Sequence, residues 1–595
     1  MILQSLTDYY ARAQLAPPGW EFKAIPFLIV LDHDGHVVSV TSRADQENPR
    51  GRPLLIPQSE IRSGRNAWAQ PNLLWDHYGF VLGEPKRKPN GEIDANDSIE
   101  KAAKQRVAFM ARVESMALTY PESEGLAAIV KFYRQAEYAK VFSRPDAVEM
   151  VKMAGANMTF RLVNAVELVI HEPWLQTYVS QGSEDDKESL QSGICLVTGK
   201  VEKIARLHPK VYGVCVKPSP LAAANTKEAP AYSSYGKEQG FLFPIGKPAA
   251  FSYATALNHL LRRDSTQRVQ IGDASTVFWA EKESAFESVV PDLFAEPSKE
   301  DPDQGGRAVR ALFDAMENGQ LRGPDGMTRF HVLGLAPNAA RISVRFYHCL
   351  PLQTLGECMG QYFKDIEIAR GPYDPQYPSL FRLLAAVAAQ NKADNIPPNL
   401  GGAIVDAVLA GTDVPYPSFW LNAAVGRCRA EKNVNYLRAA AIKACLNRQI
   451  RRSPINPIHP FPEKEFSPML DLSNPSPAYR MGRLFAALEK IQEEAIPGIN
   501  ATIRDRYYGA ASSTPVAVFT TLLRLKNAHL KKLSAGRGLW FETLLGKILG
   551  SVADFPKHLP LCDQGRFALG YYHQRQDFFT KKTDNTTCLA EGVAV

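Results

Sequence analysis

The chain has 595 residues, of which 45% are hydrophobic and 22% charged, with a formal net charge of +7. These values are typical of a globular protein with roughly two to four domains, and the charge permits a nucleic-acid partner without requiring one. The eight cysteines form no Cys-x-x-Cys pair, polar residues interrupt the N-terminal segment, and no apolar run approaches the roughly 18 residues that span a bilayer, so we expect a cytoplasmic protein with reduced thiols.

An N-terminal helix followed by a β-hairpin is predicted first. Ile25–Leu31 and His36–Val40 are the expected strands, and Asp32–Gly35 is the turn between them. His33 and Asp34 in this turn are also residue types found in metal-dependent nucleases. Such a site needs several more ligands from other elements, so the turn is the preferred interpretation.

Two polar loops follow the hairpin. The loop Arg62–Asn72 combines two arginines, several amides and a tryptophan with glycine and proline. Arginine matches guanine edges or phosphates, and asparagine and glutamine match adenine edges or minor-groove acceptors. This loop is therefore a candidate nucleic-acid contact, with an ordinary polar loop as the alternative. The second loop carries Lys86, Arg87 and Lys88 and predicts either a solvated tip or a clamp on phosphates.

Helical spacing of apolar residues predicts helices at about 98–120 and 123–141. Strands are expected at Thr159–Val163 and Leu168–Ile170. The stretch Gly193–Val201 fails as a phosphate loop, because five residues separate its glycines and a valine replaces the Ser or Thr that binds magnesium. It predicts a strand and a turn instead.

The loop Ala231–Gly240 is rich in small and hydroxyl residues, so another chain could approach its backbone closely. Lys237 and Gln239 offer hydrogen-bond donors there, although an ordinary ordered loop is the alternative. Beyond it, Val269–Asp273 and Thr276–Ala280 predict a pair of strands.

A further strand pair is predicted at Phe330–Leu335 and Arg341–Tyr347. The second strand alternates between apolar and polar residues, which is typical of a half-buried strand. The apolar face is expected to contain Ile342, Val344 and Phe346, and the other face Arg341, Ser343, Arg345 and Tyr347. The arginine face predicts either a solvated sheet surface or a contact with a polyanion.

Strand patterns end near Gly371–Pro378, and helical patterns follow. We expect an α+β N-terminal domain at 1–370, a helical connecting region at 371–467 and a helical bundle at 468–595. The predicted fold class is thus α+β, with an antiparallel sheet and hairpins before an all-helical C-terminal region.

The C-terminal bundle concentrates the basic character of the chain. Between Arg480 and Gly550 there are 11 Lys or Arg residues against 5 Asp or Glu residues. This balance fits a surface that follows a nucleic-acid backbone, whereas a solvated basic face is the alternative.

The stretch LGLAPNAARISVRFY at 333–347 resembles the signature of the large subunit of the type I-C CRISPR Cascade, an RNA-guided DNA surveillance complex. Other blocks occur in the order of that family across nearly the whole chain. They include MILQSLTDYY, PNLLWDHYGFVLG, SYGKEQG, IGDASTVFWAE, LRAAAIKACLNR and QGRFALGYYHQRQDFF. Their joint order makes the resemblance specific, since no single block carries a reaction motif.

The resemblance implies a subunit that recognises the protospacer-adjacent motif in duplex DNA, supports R-loop formation, binds the displaced strand and recruits a helicase-nuclease. Its implied partners are CRISPR RNA, target double-stranded DNA, and the backbone and guide-end subunits of Cascade, with the N-terminal domain docking at the guide end. The helical tail resembles the small subunit, copies of which the family can also make from an internal start. Met469 and Met481 are the candidate starts.

The residue patterns, together with the resemblance for the loop 62–72 and for Lys237 and Gln239, suggest candidate site residues. Contacts with the adjacent motif are expected at Arg65, Asn66, Gln70 and Asn72. Contacts with a nucleic-acid backbone are expected at Lys86, Arg87, Lys88, Lys237, Gln239, Arg341, Arg345, Arg524, Lys531, Lys532 and Arg537. No catalytic residue, metal ligand or cofactor is expected, because the chain lacks hydrolase, zinc-ligand and nucleotide-binding motifs. Two alternatives remain: a metal-dependent nuclease, and a purely structural scaffold subunit without direct DNA contact.

Overall fold

The computed structural model describes residues 1–44, 51, 53–60, 62, 66–87, 92–95, 97–181, 191–226, 236–296, 304–319, 321, 323–339, 341–453, 464–550 and 552–579. The chain forms two compact units. The N-terminal unit consists of Ala13–Leu207 and Ala224–Thr255. The C-terminal unit consists of Met1–Arg12, His208–Ala223 and Ala256–Val595.

The strands all precede residue 352 within the described part of the chain. They are β1 Trp20–Ala24, β2 Phe27–Leu31, β3 Val37–Ser42, β4 Pro53–Pro57, β5 Trp75–His77, β6 Asn157–Leu162, β7 Ser192–Ile194, β8 Val201–Lys203, β9 Lys210–Val211, β10 Ser219–Pro220, β11 Arg268–Ile271, β12 Ala274–Ala280, β13 Arg329–Asn338 and β14 Arg341–Pro351.

The helices are distributed along the whole chain and dominate its C-terminal part. They are α1 Ile2–Arg12, α2 Tyr78–Val81, α3 Ile99–Thr119, α4 Glu124–Arg134, α5 Tyr138–Val141, α6 Val148–Lys152, α7 Pro173–Gln181, α8 Lys247–Leu260, α9 Phe286–Phe294, α10 Gln304–Glu317, α11 Leu352–Ile366, α12 Leu380–Val387, α13 Leu400–Leu409, α14 Ser418–Glu431, α15 Tyr436–Arg452, α16 Pro477–Ala495, α17 Ile503–Ala511, α18 Val516–Leu530, α19 Ala535–Leu549 and α20 Leu561–Phe579. The predicted α+β class with an all-helical C-terminal region is confirmed.

The N-terminal unit is built on a four-stranded sheet in the order β3-β2-β6-β5. The fully buried strand β2 pairs antiparallel with β3 and parallel with β6. The Asp32 carboxylate closes the β2–β3 turn by accepting hydrogen bonds from the backbone N–H groups of Asp34 and His36, both at 2.9 Å. The hairpin prediction for this stretch is therefore confirmed.

Two predictions for the N-terminal unit are wrong in detail. Leu168–Ile170 is not a strand, because a 3₁₀ turn forms at Val169–His171 and its apolar residues are buried in the core. A short apolar run cannot by itself distinguish a strand from a buried helical turn. The helix expected at 123–141 is interrupted between α4 and α5, where Ala136 adopts a left-handed φ of 56° that no α-helix accommodates.

The C-terminal unit contains an antiparallel sheet in the order β11-β12-β13-β14, which confirms both predicted strand pairs. The register shifts within the last pair, since Gly334 pairs with Phe346 and Leu335 with Val344. Arg345 is the extra residue of this β-bulge. The predicted alternation along β14 therefore breaks at Arg345, and Val344 is exposed while Phe346 is buried.

The helical part of this unit closes around α16. Phe485 on α16 contacts four aromatic rings at centroid distances of 5.9–6.4 Å: Tyr508 of α17, Phe519 of α18, and Phe567 and Tyr571 of α20. Because these rings come from three other helices, their mutual burial holds the predicted C-terminal bundle together. The domain boundaries at 370 and 467 stay a prediction.

A buried ionic cluster joins α11 to α15 in the same unit. The carboxylate of Asp365 accepts hydrogen bonds from Arg451 at 2.6 Å, Gln361 at 2.9 Å and Tyr416 at 3.1 Å, and the guanidinium of Arg448 lies 3.4 Å from it. Asp365 and Arg448 are both almost completely buried. Each charge in this cluster is therefore matched inside the protein, where water cannot replace a missing partner.

Candidate nucleic-acid interface

The loop 62–72 of the N-terminal unit rests on a buried ion pair. The guanidinium of Arg62 pairs with the carboxylate of Asp76 on β5 and lies over the ring of Phe80, 4.0 Å from its centroid. Arg62 Nε also donates to the carbonyl of Gln70 at 2.8 Å. Burial raises the pKa of Asp76, and the Arg62 charge opposes that shift. The two ends of the loop are thus held by one buried carboxylate.

Asn72 is part of the buried group that Arg62 and Asp76 form beneath the loop. It is only 4% exposed, its side-chain oxygen accepts from the Glu60 N–H at 2.9 Å, and its own N–H donates to Asp76 at 2.9 Å. Asn66 and Gln70 are exposed, by contrast, on either side of a 3₁₀ turn at Ala67–Ala69. The predicted amides therefore lie in one loop, but only Asn66 and Gln70 are exposed, whereas Asn72 is buried. Arg65 lies outside the described residues.

Three cations lie close enough to His77, near the buried Arg62–Asp76 pair, to act on its charge. His77 caps α2 by accepting from the Gly79 N–H at 3.0 Å. Burial, together with the charges of Lys86, Arg62 and Lys101, lowers the pKa of His77 to about 3. His77 is therefore neutral at physiological pH and adds no charge of its own to this group of cations.

The second predicted loop is partly committed to internal contacts. The backbone N–H of Lys86 donates to Asp97 at 2.9 Å, and the guanidinium of Arg87 lies 3.8 Å from Glu84. Both side chains are half-buried. Lys88 lies outside the described residues. The part of this loop that the structure describes is thus anchored to the start of α3.

Gln239 contacts the segment that follows β8. The side-chain oxygen of Gln239 accepts from Arg206 at 2.7 Å, whereas Lys237 is exposed. The Gly240 N–H donates to the Arg206 carbonyl at 2.9 Å, and a Cβ on Gly240 would lie 2.0 Å from the carbonyl oxygen of Ala205. Glycine is therefore required at position 240 for this close approach. The segment around Gln239 and Gly240 thus packs against Ala205 and Arg206.

The two arginines of β14 do not form the predicted shared face. The β-bulge at Arg345 turns its side chain away from the alternation, and its guanidinium pairs with Asp273 at 2.6 Å. Arg341 is exposed at the start of the strand, opposite Asn338. One of the two cations is thus neutralised within the sheet.

The α18–α19 hairpin of the C-terminal unit carries the remaining predicted cations. Arg524, Lys531 and Lys532 are exposed along α18 and the turn after it. Arg537 instead makes two hydrogen bonds to Glu494, both at 2.8 Å, and lies 4.3 Å from the centroid of the Trp540 ring. Three of these four cations therefore face solvent, and the fourth holds an aromatic side chain in place.

Leu539 and Trp540 on α19 were not predicted from the sequence. They are 70% and 41% exposed. The core stripe of α19 runs through Phe541, Leu545 and Ile548 at spacings of four and three. Since Leu539 and Trp540 fall off that stripe, their helical positions could have indicated an exposed apolar pair.

The family model of the CRISPR-associated protein Cas_Csd1 matches residues 6–579, which is nearly the whole chain. The chain belongs to the Cas_Csd1 family. The resemblance seen in the sequence blocks is thereby confirmed, and this family indicates a large subunit of the CRISPR-associated Cascade. No curated protein sequence matches the chain significantly.

In this Cas_Csd1 chain His33 and Asp34 occupy the β2–β3 turn. Asp34 pairs with Lys131 at 3.0 Å, and His33 lies 3.2 Å from Glu124. Among the described residues, no three His, Cys, Asp or Glu side chains lie close enough together to hold a metal ion. A helix with the length and apolarity of a membrane span is likewise not found among them.

Proposed function

We propose that this chain is the large subunit of a cytoplasmic type I-C Cascade. In this role it recognises the adjacent motif in duplex DNA, supports R-loop formation, binds the displaced strand and recruits a helicase-nuclease. The observation that carries the proposal is the family match across residues 6–579. Base pairing with the guide RNA then supplies sequence recognition, while the protein supplies motif reading and contacts with the backbone.

Motif reading is assigned to the loop 62–72. Asn66 and Gln70 are exposed amides, and the buried Arg62–Asp76 pair supports the loop that presents them. Amides that pair with base edges need such support, because discrimination depends on fixed hydrogen-bond geometry. Asn72 acts in this proposal as a positioning residue, since its side chain is directed into the base of the loop.

Displaced-strand binding is assigned to the α18–α19 hairpin. Arg524, Lys531 and Lys532 supply the positive charge, and the exposed ring of Trp540 supplies a surface on which a base can stack. Arg537 orients that ring through its contact with Glu494.

Reversing two of these charges tests the assignment. In Lys531→Glu/Lys532→Glu, binding of the opened strand should weaken, and the slope of log K against log salt should fall by about 1.4, since each phosphate contact contributes about 0.7 for a single strand. Fluorescence anisotropy with a single-stranded oligonucleotide at several salt concentrations measures both. The control is Lys392→Glu/Lys432→Glu, which makes the same charge change at exposed positions outside the hairpin. Equal slopes in the two variants would remove this assignment.

Separate small-subunit copies from an internal start are also part of the proposal. Met469 is 61% exposed in the segment before α16, so a product that starts there retains the whole helix and its Ser476 cap. Met481 is buried within α16, and a product starting there would lose the first turn of the helix. Met469 is therefore the preferred start on structural grounds.

The function is tested by assembling the guide-RNA complex with and without this chain. Target duplexes that differ only in the adjacent motif are then compared by binding. We expect discrimination between motifs only in the complex that contains the chain. Discrimination that persists without it would make the chain a scaffold or a recruiter.

A further inference from the structure

A cavity of about 380 Å³ opens on the surface of the C-terminal unit. Its walls come from the β11–β12 turn, from the end of α9, and from α12 with the segment that follows it. The size lies within the range of small-molecule sites, roughly 300–1,000 Å³. Among its described lining residues none is assigned above to nucleic-acid contact, so the proposed function leaves the cavity without a role.

The floor of the cavity is apolar. Ile271, Phe294, Leu380 and Leu384 line it, and each of these side chains is only 2–3% exposed. The ring of Phe381, which also lines the cavity, is 41% exposed. A ligand that covers this concave apolar surface displaces water from it, which the hydrophobic effect favours. The floor therefore suits a compact aromatic or aliphatic group.

Two backbone features shape the walls in the absence of a ligand. Gly272 in the turn has a φ of +58°, and a Cβ there would lie 3.2 Å from the carbonyl oxygen of Pro398, so the two walls approach each other closely. Gln390 and Asn391, just before the lining residue Ala393, adopt left-handed φ values of 59° and 53°. Such conformations cost energy in residues other than glycine, and they cluster at ligand sites. The cavity is thus preformed.

Two carboxylates lie at the solvent side of the cavity. The side chains of Asp273 and Glu296 line it and are 24% and 34% exposed, and none of the described lining residues is basic. Asp273 accepts from Arg345 at 2.6 Å, and Glu296 accepts from Arg382 at 2.8 Å and from the Ser379 hydroxyl. A carboxylate has about four lone-pair sites, so each can accept a further hydrogen bond. The opening therefore suits a hydrogen-bond donor and disfavours an anion.

Gln270 is the remaining polar side chain of the lining, and its hydrogen bonds are made within the β11–β12 hairpin. Its Nε2 donates to the Gly272 carbonyl at 3.1 Å, and its Oε1 accepts from the Ser275 hydroxyl at 3.0 Å. Because this amide already has partners for both of its polar atoms, the two carboxylates determine which charged group the cavity accepts.

We propose that this cavity is a binding site for a small organic cation. An aromatic or aliphatic body packs on Phe294 and Leu384, and an ammonium group donates hydrogen bonds to Asp273 and Glu296. The bound ammonium shares Asp273 with Arg345, so binding weakens the ion pair that neutralises this cation of β14. The inference goes beyond the proposed function and does not depend on it.

The test uses the full chain and three probes that share an indole ring. Tryptamine carries an ammonium group, tryptophol a hydroxyl and indoleacetate a carboxylate, and calorimetric titration measures the affinity of each. Ala393→Trp places a large ring in the cavity, and because Ala393 is exposed, the substitution disturbs no buried packing. The control is Ala430→Trp, which makes the same change at an exposed position of α14 outside the cavity.

We expect tryptamine to bind at least ~10-fold more tightly than indoleacetate, with tryptophol between them, because the two carboxylates attract the ammonium and repel the carboxylate. A393W should weaken tryptamine binding at least ~10-fold, since the added ring occupies the cavity, whereas A430W should bind like the wild type. In Asp273→Asn/Glu296→Gln the affinities for tryptamine and indoleacetate should come within about threefold of each other. This double variant tests the site by itself if A393W fails to fold.

Four results would overturn the cation site. They are no tryptamine binding by the wild type at about 5 mM, equal affinities of the wild type for the three probes, tryptamine binding that A393W leaves unchanged, and a preference for tryptamine that persists without the two carboxylates. The third result would mean an adventitious additive only. Each measurement is made on the chain without guide RNA or DNA, so failure of the cation site leaves the proposed function untouched.

Discussion

Arg448→Met is expected to destabilise the C-terminal unit by about 3–5 kcal/mol, because it removes one of the two guanidinium groups that face the buried carboxylate of Asp365. The substitution also removes the donors to the carbonyls of Gly411 and Val414, which Arg448 contacts at 2.6 and 3.0 Å. Buried carbonyls without donors add to the loss. Urea denaturation of the full chain, followed by circular dichroism, measures the shift of the transition.

The matched control is Arg452→Met on the same helix. Arg452 is exposed, and its Nε donates to the Asp413 carbonyl at 2.7 Å without a buried carboxylate partner. We expect R452M to change stability by less than about 1 kcal/mol. The double variant Arg448→Met/Asp365→Leu should recover part of the loss, because it removes both charges of the buried pair. Equal denaturation midpoints for R448M and R452M would contradict the role assigned to the cluster.

The second large effect is expected in motif recognition. Asn66→Ala/Gln70→Ala should reduce the preference of the complex for the correct adjacent motif by about 1–3 kcal/mol for each base that the amides no longer bind, which is roughly fivefold to 150-fold. Binding to duplexes without the motif should change little, since the protein still binds their backbone. Competition binding with matched duplexes measures the ratio of affinities, and Gln176→Ala on α7 is the control at an exposed amide of the same unit.

Asn72→Ala distinguishes a residue that positions the loop 62–72 from the amides that contact the bases of the motif. The buried side chain of Asn72 accepts a hydrogen bond from the Glu60 N–H. Its loss should therefore lower thermal stability as well as motif preference. The double variant at Asn66 and Gln70 should lower motif preference at unchanged stability. If the double variant binds all duplexes more weakly by the same factor, these amides contact the backbone and another part of the chain reads the motif.

Local sequence patterns predicted the strands and helices well where the apolar residues recur with a single period, either that of a strand or that of a helix. The β2–β3 and β13–β14 hairpins and the stripe of Leu484, Leu488 and Ile491 on α16 are clear cases. The predictions that failed depended on non-local packing. Val169–His171 is short enough to form either a strand or a helical turn, and the surrounding core selects the turn.

The sequence predicted which segments form the candidate site, but it did not predict which side chains in those segments are exposed and which are held by internal contacts. The loop around Trp68 and the basic helical tail were recognised from composition and resemblance. The partners of Arg62 and Asn72 could not be predicted, because nothing along the sequence marks the Asp76 carboxylate or the Glu60 backbone N–H as the group that the fold brings within reach. The exposure of Ile194 could not be predicted either, because an aliphatic residue is expected to be buried.

By itself the sequence determined the family, the order of helices and strands and the concentration of cations in the tail. Only the tertiary structure decided which cations are neutralised. Arg345 meets Asp273 across 72 positions of the chain, and Arg537 meets Glu494 across 43. Ion pairs and burial depend on which distant residues the fold brings within a few ångströms, and the order of residues along the chain does not contain that distance.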